Sequence, residues 1–437
     1  MKHIFYLISI LSLFACDSYL DIEPVGQVIP KTVEDYRSFL TSAYAIKHNH
    51  KVLTAYRTDE LVLDADASGV EQYQDLFVWN DINPSPITSP YPYPTFYKVI
   101  FNANHIINNK DEIEGEQLSI NQLVAEAYAL RALQYFELIN LYAKPYKQNT
   151  AETDLAVPIT LSYDAEKAYT KKSLAQVYDL ILSDLDKATA LMQIQQQDIG
   201  NNYRFSLWGV KAFQTKVYLY QQKWQKAITS ATEALAIENK LQDLNSNTTD
   251  LPSVYNSVES ILALENVGSV DLANNATISE DLLAVFQADE DLRFNLYFDE
   301  QSDGRFKSNK NADLKYRVSF RTSELYLTQI ECLARLNQES QAKQLLKDFA
   351  KNRYTTAGWN AYQTKIDGLD TAELITEILE ERRREFALEG HRWYDLRRTT
   401  QPAISKTFNG VTYQLEQNDE RYVIPFPNEA LINNPNL

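Results

Sequence analysis

The sequence predicts an all-α protein, with tetratricopeptide-like helical hairpins wound into a right-handed superhelical scaffold and irregular, loop-rich insertions. Three observations predict it. Gly is scarce, at 11 of 437 residues, and Tyr abundant, at 28, which suits helices joined by aromatic-rich connections. Apolar residues recur at helical spacing over long windows, residues 118–142 and 174–192 among them. Residues 206–221 and 224–237 are separated by a tight turn and carry Tyr218, then Ala227, Ala231 and Ala234. Small residues let paired helices approach closely and an aromatic fills the groove between hairpins, which is the tetratricopeptide pattern.

From the start of the chain, Lys2 supplies a positive charge and residues 4–14 an almost wholly apolar run. A helix needs roughly 20 apolar residues to span a bilayer, so residues 1–15 read as a removable signal peptide. Leu13-Phe14-Ala15-Cys16 resembles a lipoprotein-processing motif, with Phe14 bulkier than usual there. Cleavage before Cys16 and acylation of its thiol would tether residues 16–437 to a membrane, each buried CH₂ contributing about 0.8 kcal/mol. Cys332 is then without a partner, so the fold stands without disulfides. Length alone suggests about two or three domains; the continuous helical pattern argues for one body.

After an extended leader over residues 17–30, Thr32-Val33-Glu34-Asp35 has capping-box chemistry and opens a helix to about Ile46. Pro84, Pro86, Pro90, Pro92 and Pro94 make residues 80–95 an ordered surface loop. Helical pairs occupy about 118–237 and 322–400. Within the second, residues 322–336 and 339–353 repeat the hairpin, with Ala342 in the small position. Residues 371–389 begin another, stopped by Gly390 as a C-cap. Residues 48–100 and 239–316, loopiest at 243–257, look inserted between repeats. Insertions on a repeat scaffold gather on one face, where binding happens.

Net charge is −17 and the isoelectric point near 4.9, with no recurrent basic cluster, which makes nucleic acid and anionic polymers poor partners. The C-terminal part is the most specific. Glu381-Arg382, Glu385, Glu389-Gly390, Arg392 and Asp395-Leu396-Arg397-Arg398 spell ER-x-x-E-x-x-x-EG-x-R-x-x-DLRR. Glu380 and Glu381 are helix-spaced to pair with Arg384. This order resembles the SusD/RagB family of outer-membrane nutrient-binding lipoproteins. Further stretches are similar to that family: Tyr97 with Asn102-Ala103-Asn104, Leu130-Arg131-Ala132 to Leu141-Tyr142, Asp291-Leu292-Arg293, Arg321 to Leu327, and the closing Ile424-Pro425-Phe426-Pro427 to Asn433-Asn434-Pro435-Asn436-Leu437. Ala143 and Ile330-Glu331-Cys332 depart from it. The motif residues themselves read as structural, with Glu385 and Arg392 clamping helices and Trp224 and Trp393 in the core.

The resemblance implies a surface lipoprotein that pairs with a SusC-like TonB-dependent outer-membrane barrel as its lid. It would capture an oligosaccharide, or in some branches a peptide, and deliver it to the pore with no covalent chemistry of its own. Cys16 would hold that lid at the outer face of the outer membrane, and no cofactor is implied. Sugar binding needs flat aromatic faces beside carboxylates and amides. Residues 64–97 offer Asp64, Asp66, Tyr73, Trp79, Asn80, Asp81, Tyr91 and Tyr93, with Trp79 the leading candidate beside amide and acid, although an indole there serves equally to seat the loop on the core. Tyr93 stands where the family often has a structural Trp. Trp359, in the turn Ala357-Gly358-Trp359-Asn360, is a further candidate.

Metal and catalytic readings are weaker. Asp64-Ala65-Asp66-Ala67-Ser68-Gly69 begins like a calcium loop but places Glu71 and Asp75 where an apolar residue and a bidentate Glu belong. His48 and His50 have no third ligand nearby in sequence. No nucleophile elbow, phosphate loop or HExxH pair occurs. Two rivals stand beside the binding module: an all-α glycoside hydrolase with two carboxylates across a sugar, and a tetratricopeptide-type scaffold for protein partners.

Overall fold

The cap at Thr32 is reciprocal: its hydroxyl accepts from the Asp35 N–H while the Asp35 carboxylate accepts from the Thr32 N–H, which starts α1 (Val33–Ala45). The structure, a computed structural model, describes residues 30–162, 164, 169–310 and 317–437. The signal segment, Cys16 and nearly all of the leader lie outside the described residues.

Helices dominate the rest of the chain: α2 (Tyr93–Asn108), α3 (Gln117–Tyr142), α4 (Leu174–Leu191), α5 (Leu207–Tyr220), α6 (Trp224–Ile237), α7 (Thr322–Arg335), α8 (Glu339–Ala350), α9 (Thr356–Gly368), α10 (Thr371–Glu385) and α11 (Arg392–Arg398). α3 is buried on every side over its last two-thirds, as a central helix must be. Its Arg131 donates to both Asp184 oxygens on α4 and to Asn104 on α2, all at 2.7 Å, which ties three helices together. The Pro-rich loop ends earlier than its prolines suggest. α2 begins at Tyr93 and carries Pro94 in its first turn, where the missing N–H has no helical partner to lose.

The hairpins α5–α6 and α7–α8 turn in the same way. Gln222 and Asn337 both adopt φ 58°, and the next N–H, of Lys223 or Gln338, reaches back to the carbonyl of Tyr218 or Leu333 at 2.9 Å. That is a Schellman stop repeated. Ala227, Ala231, Ala234 and Ala342 are fully buried, as close packing of paired helices requires. One large hydrophobic core runs from α1 to the C-terminal segments, and a second sits among α7, α8, α9 and α10.

The two insertions meet. Leu61–Leu63 pairs antiparallel with Ala276–Ile278. Tyr56 donates to Asn275 at 2.8 Å and Tyr73 to Asp271 at 2.6 Å. All strands of the described residues form two-stranded ladders of this kind.

The charge-dense C-terminal signature is largely buried. Glu385 accepts from Arg293, Arg321 and Arg353; Arg321 also reaches Glu259 and Glu389, and Arg353 reaches Glu259. Burial alone would raise the Glu385 carboxyl, but the three guanidiniums hold it well below the usual carboxylate range. Arg384 pairs with Glu381 and with Glu377, while Glu380 lies nearest Arg383 at 3.8 Å. Arg392 clamps Asp59 with two bonds, of 2.8 and 2.6 Å. Trp393 is enclosed; Trp224 is half-buried under Arg335.

α10 ends at Glu385 rather than continuing to Glu389. The reason is the network: Arg321 caps the Glu385 carbonyl and Lys310 the Ala387 carbonyl, so these orphan acceptors are met from outside. The chain then turns through Leu388 and Gly390, both with positive φ. At Gly390 a Cβ would also meet Lys51 side-chain atoms at 2.9 Å.

Replacing Glu385 by Ala removes the one carboxylate shared by three buried guanidiniums and is expected to cost about 3–5 kcal/mol; a urea midpoint equal to wild type would contradict this. Glu60 offers a second test. Burial, and then the charge of Asp59, push its carboxyl up to about 7 against the pull of Arg392 and Arg383. A carboxyl raised in the folded state contributes stability that is whole below its unfolded pKa and is lost as pH rises through the folded value. Glu60→Gln should therefore raise the urea midpoint at about pH 8 relative to that at about pH 4.5, and an unchanged relation between the two midpoints would remove Glu60 as a contributor to the pH dependence.

Candidate functional site

The site is built on an improbable turn. The short helix Gln74–Phe77 stops at Trp79, whose φ is 56°, and the Asn80 N–H closes on the Asp75 carbonyl at 2.8 Å. That left-handed position usually takes Gly, and a side chain there costs roughly 1–2 kcal/mol. Packing offsets it. Trp79 is 1% exposed; its indole N–H donates to the Arg57 carbonyl at 3.0 Å, and the Lys406 ammonium lies 4.6 Å from its ring. Arg57, itself buried, grips both Asp81 oxygens at 2.7 Å and the Arg421 carbonyl.

Lys406 comes from a hairpin, Ile404–Phe408 against Val411–Leu415. Asn409 and Gly410, with φ 50° and 75°, form its two-residue loop. The Lys406 ammonium donates to the carbonyls of Tyr56 and Phe77, and burial pushes its pKa well below that of an ordinary lysine. This hairpin is thereby pinned against the Trp79 turn.

Between them opens a groove of about 530 Å³, lined by Asp75, Asn80, Asp81 and Ile82 on one side and Asn409, Tyr413 and Arg421 on the other. Ile82 is 86% exposed. Burial would raise the Asp75 carboxyl, but hydrogen bonds from the Thr88 hydroxyl, the Ser85 N–H and the Asn80 amide hold it low. Arg421 is steadied by Asp419, whose carboxyl its hydrogen bond holds at about 2. A phenol ring and an aliphatic side chain beside amides, acids and a guanidinium match the two faces of a sugar, its C–H side and its hydroxyls.

Of the residues expected from sequence, Trp79, Asn80 and Asp81 line this groove together. Trp79 does so as an enclosed floor, its indole committed to Arg57 and Lys406, rather than as an open platform. Tyr73 is buried and bonded to Asp271. Tyr91 is buried, and Tyr93 packs with Tyr97, Tyr142 and Phe426 at ring distances of 5.1 to 5.6 Å. Trp359 lies in the first turn of α9, not in a loop, and donates to the Lys347 carbonyl. Asp64 pairs with Arg305, while Asp66 is exposed. Asn409, Tyr413 and Arg421 are not expected from sequence, although Asn-Gly between alternating residues is a hairpin signal.

His50 does acquire acidic neighbours, from far along the chain: Glu137 at 3.0 Å and Glu265 at 3.7 Å. The Lys51 ammonium, 2.8 Å from Glu265, supplies positive charge to that cluster. His48 bonds Thr95 and Gln134.

Trp79→Ala is expected to cost about 3–5 kcal/mol through loss of a buried indole, whereas Tyr413→Ala should stay within about 1 kcal/mol of wild type. Chemical denaturation of both variants checks the contrast; equal losses would mean that Tyr413 is as structural as Trp79.

The SusD family profile matches residues 293–437, and a profile described as starch-binding, associating with outer membrane, matches residues 18–219. SusD-like protein P38 of Formosa agariphila is 26% identical, with 99% of this chain and 96% of that one aligned. A SusD superfamily protein of Bacteroides thetaiotaomicron superposes with a TM-score of 0.77 at 22% identity, covering 93% of this chain and 98% of that one. A laminarin-binding SusD-like protein gives 0.65 at 22%, covering 84% and 92%. No helix of the described residues is long and apolar enough to cross a membrane.

Proposed function

The chain belongs to the SusD/RagB family, and on that premise we propose that it captures a glycan in the groove between the Trp79 turn and the 404–415 hairpin. It hands that glycan to a SusC-like TonB-dependent barrel, for which it acts as the lid. Residues 16–437 form one such unit, anchored through lipid on Cys16 at the outer face of the outer membrane.

The observation that carries the reading is the lining of the groove: Tyr413 and Ile82 face the same space as Asn80, Asp81 and Arg421. Binding rather than turnover is favoured by the state of the carboxylates. Asp81 is gripped by Arg57 and Asp75 by its own loop, so neither is poised to move a proton. Because one structural neighbour binds laminarin, a neutral glucan is a sensible first probe, and a peptide is the alternative ligand within the family.

Isothermal titration with laminarin, starch, mannan and a peptide mixture tests this. A glycan is expected to bind, and Tyr413→Ala and Arg421→Ala should each weaken it roughly tenfold or more, about 1.4 kcal/mol, without unfolding the protein. Binding unaffected by either variant would move the site elsewhere. Release of shortened glycan products would replace the binding reading with hydrolysis. Affinity capture from solubilised membranes should recover a large β-barrel.

A further inference from the structure

A second cleft, of about 610 Å³, lies on the other side of the same wall. Phe77 and Lys406 line it, whereas Trp79 and Phe408 line the first groove. These four side chains touch. The Phe77 and Phe408 rings are 6.1 Å apart edge to face, and the Lys406 ammonium stands 4.3 Å from the Phe77 ring and 4.6 Å from that of Trp79. One partition therefore separates two openings.

The second cleft follows the free edge of a strand. Among the described residues, Ile404–Phe408 is laddered to Val411–Leu415 alone. In a two-residue hairpin the closing pair and every second pair beyond it exchange hydrogen bonds. The main-chain N–H and C=O groups of Ser405 and Thr407 thus point away from the partner strand, and both side chains are exposed. Across the cleft, Val62 is 44% exposed, and Asp281 is a largely exposed carboxylate resting on the buried Arg383. Hydroxyls, edge amides and an acid beside an apolar side chain repeat the chemistry of the first groove.

We propose that this cleft is a second subsite for the same ligand, so that the protein selects extended oligosaccharides whose chain crosses the 404–415 hairpin rather than mono- or disaccharides. The inference rests on the glycan-binding reading above. Each opening is of the size that encloses a small ligand by itself, and a polymer occupying both gains affinity from the second without new entropy of association. The sugars outside the first groove then set selectivity by length.

The test is a length series on the complete mature chain. Laminari-, malto- and manno-oligosaccharides of two to eight sugars are titrated against wild type, Thr407→Arg, Ser405→Arg and Tyr413→Ala. For the series that binds, wild-type affinity should rise roughly tenfold or more from the shortest binder to the longest. The two arginine variants, at exposed positions, should bind short chains as wild type does and lose the increment for long ones. Tyr413→Ala should weaken every length. Affinity independent of length, or arginine variants that keep the full increment, would overturn the second subsite while leaving the first groove intact. Failure of all three series to bind would overturn the glycan reading and this inference with it.

Discussion

The carboxylate of Glu385 organises this molecule. It sits at the end of α10, fully enclosed, and is reached by guanidiniums from three other places in the chain: Arg293 within the second insertion, Arg321 at the start of α7 and Arg353 after α8. A buried ionic group of this kind contributes little net stability compared with an apolar replacement, yet removing one partner is costly. Its effect is on geometry. Each arginine must bring its own segment to one point, so the second insertion, the hairpin α7–α8 and α10 are placed relative to each other by charge rather than by apolar packing alone.

The helical pairs need less. Their close approach depends on alanines and on a left-handed turn residue, Gln222 or Asn337, and both requirements are local. For this reason the scaffold is largely legible in the sequence: the cap at Thr32, the bounds of α3 and α4 to within a residue or two, and the burial of Ala227, Ala231 and Ala234 all depend on neighbours within one or two turns. The signature segment is legible as a pattern. That its charges are interior is not, because Glu259 lies 94 residues from Arg353 and 62 from Arg321, and no periodicity reports a partner so distant.

The groove shows the same limit more sharply. Trp79 beside Asn80 and Asp81 suggests either a sugar platform or a residue that seats the loop on the core, and the three do line one groove. Whether the indole faces solvent is decided by Lys406, which arrives from the far end of the chain to stand over it. The opposite wall, Asn409, Tyr413 and Arg421, has no spacing relation to the first. The aromatic ring that remains accessible belongs to an ordinary-looking strand, whereas the tryptophan with the more suggestive neighbours serves as its foundation.

The link between these walls has a consequence for how the protein comes into being. Arg57 bonds the carbonyl of a residue 364 positions later, and Lys406 one 350 positions earlier. A chain made from its N-terminus reaches the helical pairs first, and contacts of such span close late because their loop entropy comes due at once. The first wall of the groove, Asp75 to Ile82, is therefore made long before the second, Asn409 to Arg421. The same late residues also complete the main core, with Leu415, Tyr422 and Ile424 buried in it, so the groove and the body that carries it are finished together, by the last part of the chain to be made.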